Sequence, residues 1–180
     1  MVTGYSRWLS GLLIPTRSAA DLFAGWWQLI KGLGAVPRVL VRDGEGAIGR
    51  WRAGRVELAA ECQAFRGTLA AKVLVLKPRE PEHKGIIERA HDYLERSFLP
   101  GRSFTGPADF NTQLQQWLQT VNTRKRRALG CAPADRITAD RQAMPGLPPV
   151  APATGWRASL RLPAITTSDS TPTTTLCTRP

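Results

Sequence analysis

Two acidic residues stand where carboxylate chemistry can be assembled. Asp43 closes the apolar run Val39-Leu40-Val41-Arg42 and is followed by Gly44-Glu45-Gly46-Ala47, the pattern of a buried strand breaking into a turn. Glu88 falls in the opening turns of a helix within His83-Lys84-Gly85-Ile86-Ile87-Glu88-Arg89-Ala90. A carboxylate just past the carboxyl end of a strand and a second on a nearby helix can converge on one hard cation. Oxygen donors of this kind suit Mg2+ or Mn2+. Each residue also has a plainer reading on its own. Asp43 before Gly44 is a turn-capping aspartate. Glu88, four residues from both Lys84 and Asp92, fits a solvated helix face with one i,i+4 pair worth about 0.3 kcal/mol. Only the two motifs together, in order and with their neighbours, favour the metal-binding reading.

These carboxylates need a strand and a helix to hold them, and the flanking sequence supplies an α/β arrangement. Residues 1–15 mix β-formers with Gly4 and Gly11 and stop at Pro15, which predicts a strand pair. Ser18 before Ala19-Ala20-Asp21 is an N-cap signature, with the acid favoured near the helix N-terminus. The helix should run to about Gly32, with Leu22, Trp26, Leu29 and Ile30 on one apolar stripe and Trp26-Trp27 in the core. A strand over 38–42 then places Asp43 at its carboxyl end, where ligand sites of open α/β sheets gather. A short helix through Ile48 and Trp51, a helix over 56–66, a strand over 68–77 and a loop over 78–84 are expected next. The helix over 85–98 should turn Ile87, Ala90, His91, Leu94 and Phe98 inward. Phe110, Leu114, Trp117, Leu118 and Val121 mark a further amphipathic helix, opened by Gly106-Pro107-Ala108-Asp109.

The segments around Asp43 and Glu88 carry a resemblance. Val41-Arg42-Asp43-Gly44-Glu45-Gly46-Ala47 resembles the second-Asp motif of DDE integrases, and Lys84-Gly85-Ile86-Ile87-Glu88-Arg89-Ala90 resembles their Glu-bearing helix. Over residues 2–162 the chain resembles bacterial insertion-sequence transposases of the IstA type. The second half resembles the family's segment after the catalytic Glu, with a Phe-containing helix, a tryptophan, Asn122-Thr123-Arg124 and then Pro133 before a short helix. The resemblance implies an RNase H-like integrase catalytic core over 1–100, a helical basic extension over 101–145 and a Pro/Thr-rich tail over 146–180. It implies metal-dependent DNA strand cleavage and strand transfer, with Asp43 and Glu88 as catalytic metal ligands and Lys84 and Arg89 positioning the phosphate. Mg2+ or Mn2+, an ATP-dependent helper protein, a homo-oligomer on transposon ends and a bacterial, nucleoid-associated location follow from the same source.

Two departures temper this. The family uses three carboxylates, the first on a strand upstream of the segment that resembles 2–7. The only acid before Asp43 is Asp21, at a helix start. The first strand of the sheet and its Asp are therefore expected to lie ahead of Met1, leaving weak metal binding, little strand transfer and an unpaired sheet edge. The alternative is a non-catalytic DNA-binding or interfering remnant. The second departure is the tail, where residues 164–180 hold seven threonines and no helical or strand period. A disordered polar tail is one reading. A frameshift is another, because threonine codons begin with AC and the frame one base earlier reads them as Asn, Asp, His or Tyr.

Composition bounds the partners. The 180 residues carry a net charge of +11, which favours a polyanion, nucleic acid above all. Residues 1–100 hold 15 basic and 10 acidic side chains and residues 101–180 hold 10 and 4, so the C-terminal part is basic mainly for want of acids. Arg124-Lys125-Arg126-Arg127 is the best local candidate for phosphate contacts; the alternative is a solvated helix end whose cations offset the dipole. No apolar run approaches the ~18 residues of a membrane span. Cys62, Cys131 and Cys177 are widely spaced without a CxxC pair, which points to a reducing cytoplasm rather than a disulfide or zinc framework. His83 and His91 lack partners at metal spacing and read as structural.

Overall fold

A computed structural model describes residues 1–42, 46–52, 55–76 and 85–154. Helix α1 spans Ala19–Leu33; the Ser18 side chain caps it by accepting from the Asp21 N–H at 3.2 Å. Gly34 closes it at φ +81, its N–H donating to the Ile30 and Lys31 carbonyls, a left-handed C-cap that glycine adopts without a Cβ penalty. Strand β1 (Val39–Arg42) follows as expected and pairs in parallel with β4 (Lys72–Val75), Val39 opposite Lys72 and Arg42 opposite Val75.

Between these two strands the chain departs from expectation. The segment through Ile48 and Trp51 forms no helix. Instead β2 (Gly49–Arg52) and β3 (Arg55–Leu58) make an antiparallel pair that sets Trp51 opposite Val56. Period-2 alternation of Trp51 with Arg50 and Arg52, matched by Val56 between Arg55 and Glu57, outweighs the helical spacing of the apolar residues. Gly49 permits the close pairing: a Cβ there would meet the Glu57 carbonyl oxygen at 2.5 Å. Helix α2 begins later than expected and spans Ala60–Leu69. It consumes the first part of the strand expected over 68–77, and Ala70 ends it at φ 51.

Helices α3 (Gly85–Ser97), α4 (Pro107–Thr123) and α5 (Pro133–Gln142) complete the described elements. Among the described residues the result is a mixed α/β architecture of five helices and two small sheets. Its apolar side chains form two clusters. One joins α1, α2 and β4 through Phe23, Ile30, Phe65, Leu69 and Val75, with Cys62 and Ile48 fully buried. The other joins Leu9 to Phe98 and to Leu114, Trp117, Leu118 and Val121 of α4, so packing runs across residue 100.

The N-terminal segment pairs with itself only briefly, through a bridge between Val2 and Leu9. Its other support comes from α4. Asn122, 1% exposed, accepts from the Leu9 N–H at 2.9 Å and donates to the Leu9 carbonyl at 2.8 Å. Asn111 treats Leu13 the same way, at 2.7 and 3.0 Å, and the Gln115 amide donates to the Gly11 carbonyl at 2.8 Å. Side-chain amides thus stand in for a neighbouring strand along residues 9–13, which closes one edge of that segment to further pairing.

Candidate functional site

Glu88 and Arg89 lie on α3 and both are exposed. Arg89 folds back toward the helix start, its guanidinium 3.6 Å from where a Gly85 Cβ would stand. Asp92 pairs with Arg96 at 2.7 Å one turn further on. Asp43 and Lys84 lie outside the described residues. Their neighbours in sequence are informative, however. Arg42, one residue before Asp43, and Ile87, one residue before Glu88, line the same cavity. The ends of the strand and helix singled out by sequence therefore border one space.

That cavity holds about 260 Å3. Leu22, Gly25, Trp26 and Leu29 of α1 form one wall, and Ile87, Ala90, His91 and Leu94 of α3 with Trp117 and Leu118 of α4 form another. Met1, Val2, Leu9 to Leu12 and Ile14 of the N-terminal segment and Arg42 of β1 complete it. Burial, and then the charge of Arg42, push the Met1 amino group down to about 6. The Arg42 guanidinium stacks 4.9 Å from the centroid of the Trp26 ring. The cavity explains why the apolar stripe of α1 is only half covered at Leu22, Trp26 and Leu29, while Phe23, Ile30 and Leu33 are buried. It also explains α3, which has no buried residue; of its expected inner face only Phe98, just past the helix, is fully enclosed, and His91 is exposed.

The basic run after α4 divides. Arg124, Lys125 and Arg127 are exposed. Arg126 turns inward, its guanidinium 5.8 Å from the centroid of Tyr93 on α3. Its main chain closes a turn, the N–H donating to Cys131 at 3.0 Å and the carbonyl accepting from Gly130 at 2.9 Å. Burial lowers its pKa against the opposing influence of Tyr93. Arg126 is thus a packing residue in this structure, and three cations of the four face solvent. The sequence pattern gave no sign of this split, since inward turning depends on Tyr93 from another helix. It also passed over Asn111, Gln115, Asn122 and Asp140; the last accepts from the Ser6 N–H at 3.0 Å and ties α5 to the N-terminal turn.

Among the described residues, no group of three or more His, Cys, Asp and Glu side chains gathers to hold a metal ion. Glu88 is the one member of the expected Asp43–Glu88 pair that they include, a hard oxygen donor open to solvent. Asp21 does not join it: it sits in the first turn of α1 and accepts from the Thr16 hydroxyl. Cys62 is buried and its thiol pushed up by that burial, which disfavours a nucleophilic thiolate. None of the helices among the described residues is long and apolar enough to cross a membrane.

Comparison with known proteins adds one likeness. The chain is similar to a Geobacillus stearothermophilus protein named as a transposase for insertion sequence element IS5376, 27% identical over 135 residues. The match covers 74% of this chain and 34% of that protein, so the chain spans about a third of the length of the relative. No family model matches the sequence.

Proposed function

We propose that this polypeptide is a transposase-derived, DNA-binding protein of the DDE type, with Asp43 and Glu88 as two carboxylates of its metal site. The observation that carries the reading is that Arg42 and Ile87, each one residue ahead of a motif carboxylate, line a single cavity. The likeness to an insertion-sequence transposase supports it, as does a net charge of +11. The parallel pair β1–β4 with α1 and α2 packed on it is compatible with an RNase H-like core over 1–100, extended by basic helices over 101–145 and a tail over 146–180.

In this proposal Arg124, Lys125 and Arg127 hold the DNA backbone and Arg126 holds the turn that presents them. Arg89 and Lys84 flank Glu88 and contribute positive charge for a phosphate near that carboxylate. Mg2+ or Mn2+ held by Asp43 and Glu88 would supply Lewis-acid activation of a phosphodiester. Asp21 is committed to the start of α1. In this proposal the isolated chain binds DNA and cleaves it little. An ATP-dependent helper protein and assembly into homo-oligomers on DNA ends belong to the same proposal.

The test is a titration of a labelled DNA duplex at several salt concentrations, run beside a nicking assay with and without Mg2+. Salt-sensitive binding without nicking is the expected result. Absence of binding at low salt would overturn the DNA reading. Mg2+-dependent nicking that persists in a combined Asp43→Asn, Glu88→Gln variant would overturn the carboxylate assignment alone.

A further inference from the structure

We infer that the outward face of the β2–β3 hairpin is a second contact surface for the phosphate backbone of duplex DNA, one that presupposes the DNA reading proposed above. Its carriers are Arg50, Arg52 and Arg55. Side chains alternate across a strand, and the hairpin follows that rule: Trp51, Val56 and Leu58 are partly covered, whereas Arg50, Arg52, Arg55 and Glu57 are exposed. The covered face packs against the cluster that holds Cys62 and Phe65, and the Trp51 indole N–H donates to the Leu76 carbonyl at 3.1 Å. The Ala59 N–H donates to the Ile48 carbonyl at 2.9 Å and extends the ladder by one rung. The arginines therefore project from a fixed base.

Packing explains the covered face but not the charges of the other. Arg50 stands opposite Glu57, a complementary rung, but Arg52 stands opposite Arg55. The bond from Ala59 to Ile48 sets the alternation of the ladder, which makes Arg52 and Arg55 a hydrogen-bonded pair with Cα atoms about 5.5 Å apart. Like charges directly opposite destabilise a strand pair. A rung that works against the stability of its own hairpin marks a functional site, and an anion is what relieves two adjacent cations. Glu57 meets that need only in part. Its carboxylate lies 3.7 Å from the Arg52 Nε, in an exposed pair that water and salt screen. Three cations and one carboxylate leave the face with a net charge of +2.

The face also has room for a phosphate chain. Arg50, Arg52 and Glu57 line an open groove of about 310 Å3 that extends to Gly46 and Gly49. The Arg50 guanidinium lies 3.7 Å from where a Gly46 Cβ would stand, and Gly46 is the third residue after Asp43. Arg50 and Arg52 stand about 6.6–6.8 Å apart along β2, and Arg55 faces Arg52 from β3. Arginine suits such a row, because its planar fork matches phosphate oxygens. This surface differs from the run 124–127: the hairpin packs on the cluster of α1 and α2, whereas that run follows α4 and turns on Tyr93.

The test is fluorescence anisotropy of a labelled duplex with the full chain at four or more salt concentrations. Replacing Arg50, Arg52 and Arg55 together by Gln should lower the slope of log K against log salt by about 2.7, at ~0.9 per phosphate contact. Replacing the same three by Lys should keep the wild-type slope, because the slope counts charges. Adding the Ala substitutions of Arg124, Lys125 and Arg127 to the Gln variant should double the loss to about 5.4. If the Gln variant loses its helical circular dichroism, the native chain is treated with phenylglyoxal instead, and bound duplex should shield the three hairpin arginines from modification. No binding by the wild-type chain at low salt refutes the DNA reading, and this surface with it. Three results refute the hairpin surface alone while wild-type binding persists: an unchanged slope in the Gln variant, a Lys variant that loses as much slope as the Gln one, or arginines modified equally with and without duplex.

Discussion

Replacing Arg124, Lys125 and Arg127 together by Ala should weaken DNA binding in a way that salt dependence resolves. All three are exposed beyond the last turn of α4, while Arg126 is folded against Tyr93. If each exposed cation neutralises one phosphate, the triple variant loses about 2.7 units of slope in log K against log salt, at ~0.9 per contact. A fourfold rise in salt then narrows the affinity gap between wild type and variant by about 40-fold. Arg126→Ala behaves oppositely. It should leave the slope unchanged and lower stability by about 1 kcal/mol, from the lost stacking on Tyr93 and the packing of its aliphatic stem. Fluorescence anisotropy with a labelled duplex at four or more salt concentrations gives the slopes, and urea melts give the stabilities. The reasoning is refuted if Arg126→Ala reduces the slope as much as Arg124→Ala does, or if the triple variant keeps the wild-type slope.

Other perturbations follow from the packing. Asn122→Ala leaves the buried Leu9 N–H and C=O without their amide partner and should cost about 2–4 kcal/mol in a urea melt, whereas Gln115→Ala at an exposed position should cost under about 1 kcal/mol. Gly49→Ala drives a methyl group into the Glu57 backbone and should destabilise the β2–β3 pair by on the order of 1–3 kcal/mol, read as faster amide exchange at Arg50 and Glu57, a hydrogen-bonded pair of that register. Ala70→Gly should raise stability by about 1 kcal/mol, since residue 70 holds φ 51, a conformation that costs an L side chain roughly that much. Asp109 has its pKa lowered from 3.8, first by the Thr105 N–H and then by Gln113. A depressed carboxylate stabilises the fold above its unfolded pKa and loses that contribution as pH falls through the folded one. Thermal melts below pH 4 should therefore be less pH-dependent in Asp109→Asn than in the wild type.

How far the sequence foretold this structure depends on whether the deciding interaction is local. Helix α1 was legible because Ser18, Asp21 and Gly34 act within one turn of its ends. The Pro107 start of α4 was legible for the same reason, whereas the Pro133 start of α5 was expected through the family resemblance. The hairpin of β2 and β3 was missed because apolar Ile48 and Trp51 fit a helix period, and only the pairing of Trp51 with Val56 decides otherwise. Of the candidate site, strand β1 and the helix bearing Glu88 were legible, and Arg42 and Ile87 line the same cavity. The inward turn of Arg126 and the amide ladder of Asn111, Gln115 and Asn122 were not, because each depends on a partner distant in sequence. An asparagine spaced for a solvated helix face carries no mark that says its partner is a backbone 113 residues away.

The contrast between α3 and α4 carries this furthest. Both are amphipathic in sequence, yet α4 buries Leu114, Trp117, Leu118, Val121 and Asn122 while α3 buries no residue along its length. Helix stability in proteins comes mainly from covering such a face, so α3 should be the least protected of the two, opening at a free energy well below that of global unfolding. Its anchors lie at its carboxyl end, where Tyr93 packs against Trp117 at 5.6 Å and Phe98 is enclosed by Phe104, Phe110 and Trp117. Among amides with an acceptor inside the helix, exchange should thus be faster at Arg89 to His91 than at Leu94 to Phe98. Filling the cavity should erase that gradient, because the half-covered faces of Ile87 and Leu94 border the same space. A flat gradient in the unfilled chain would mean that α3 is stabilised by its own turns, and the cavity would then have no part in holding Glu88 in place.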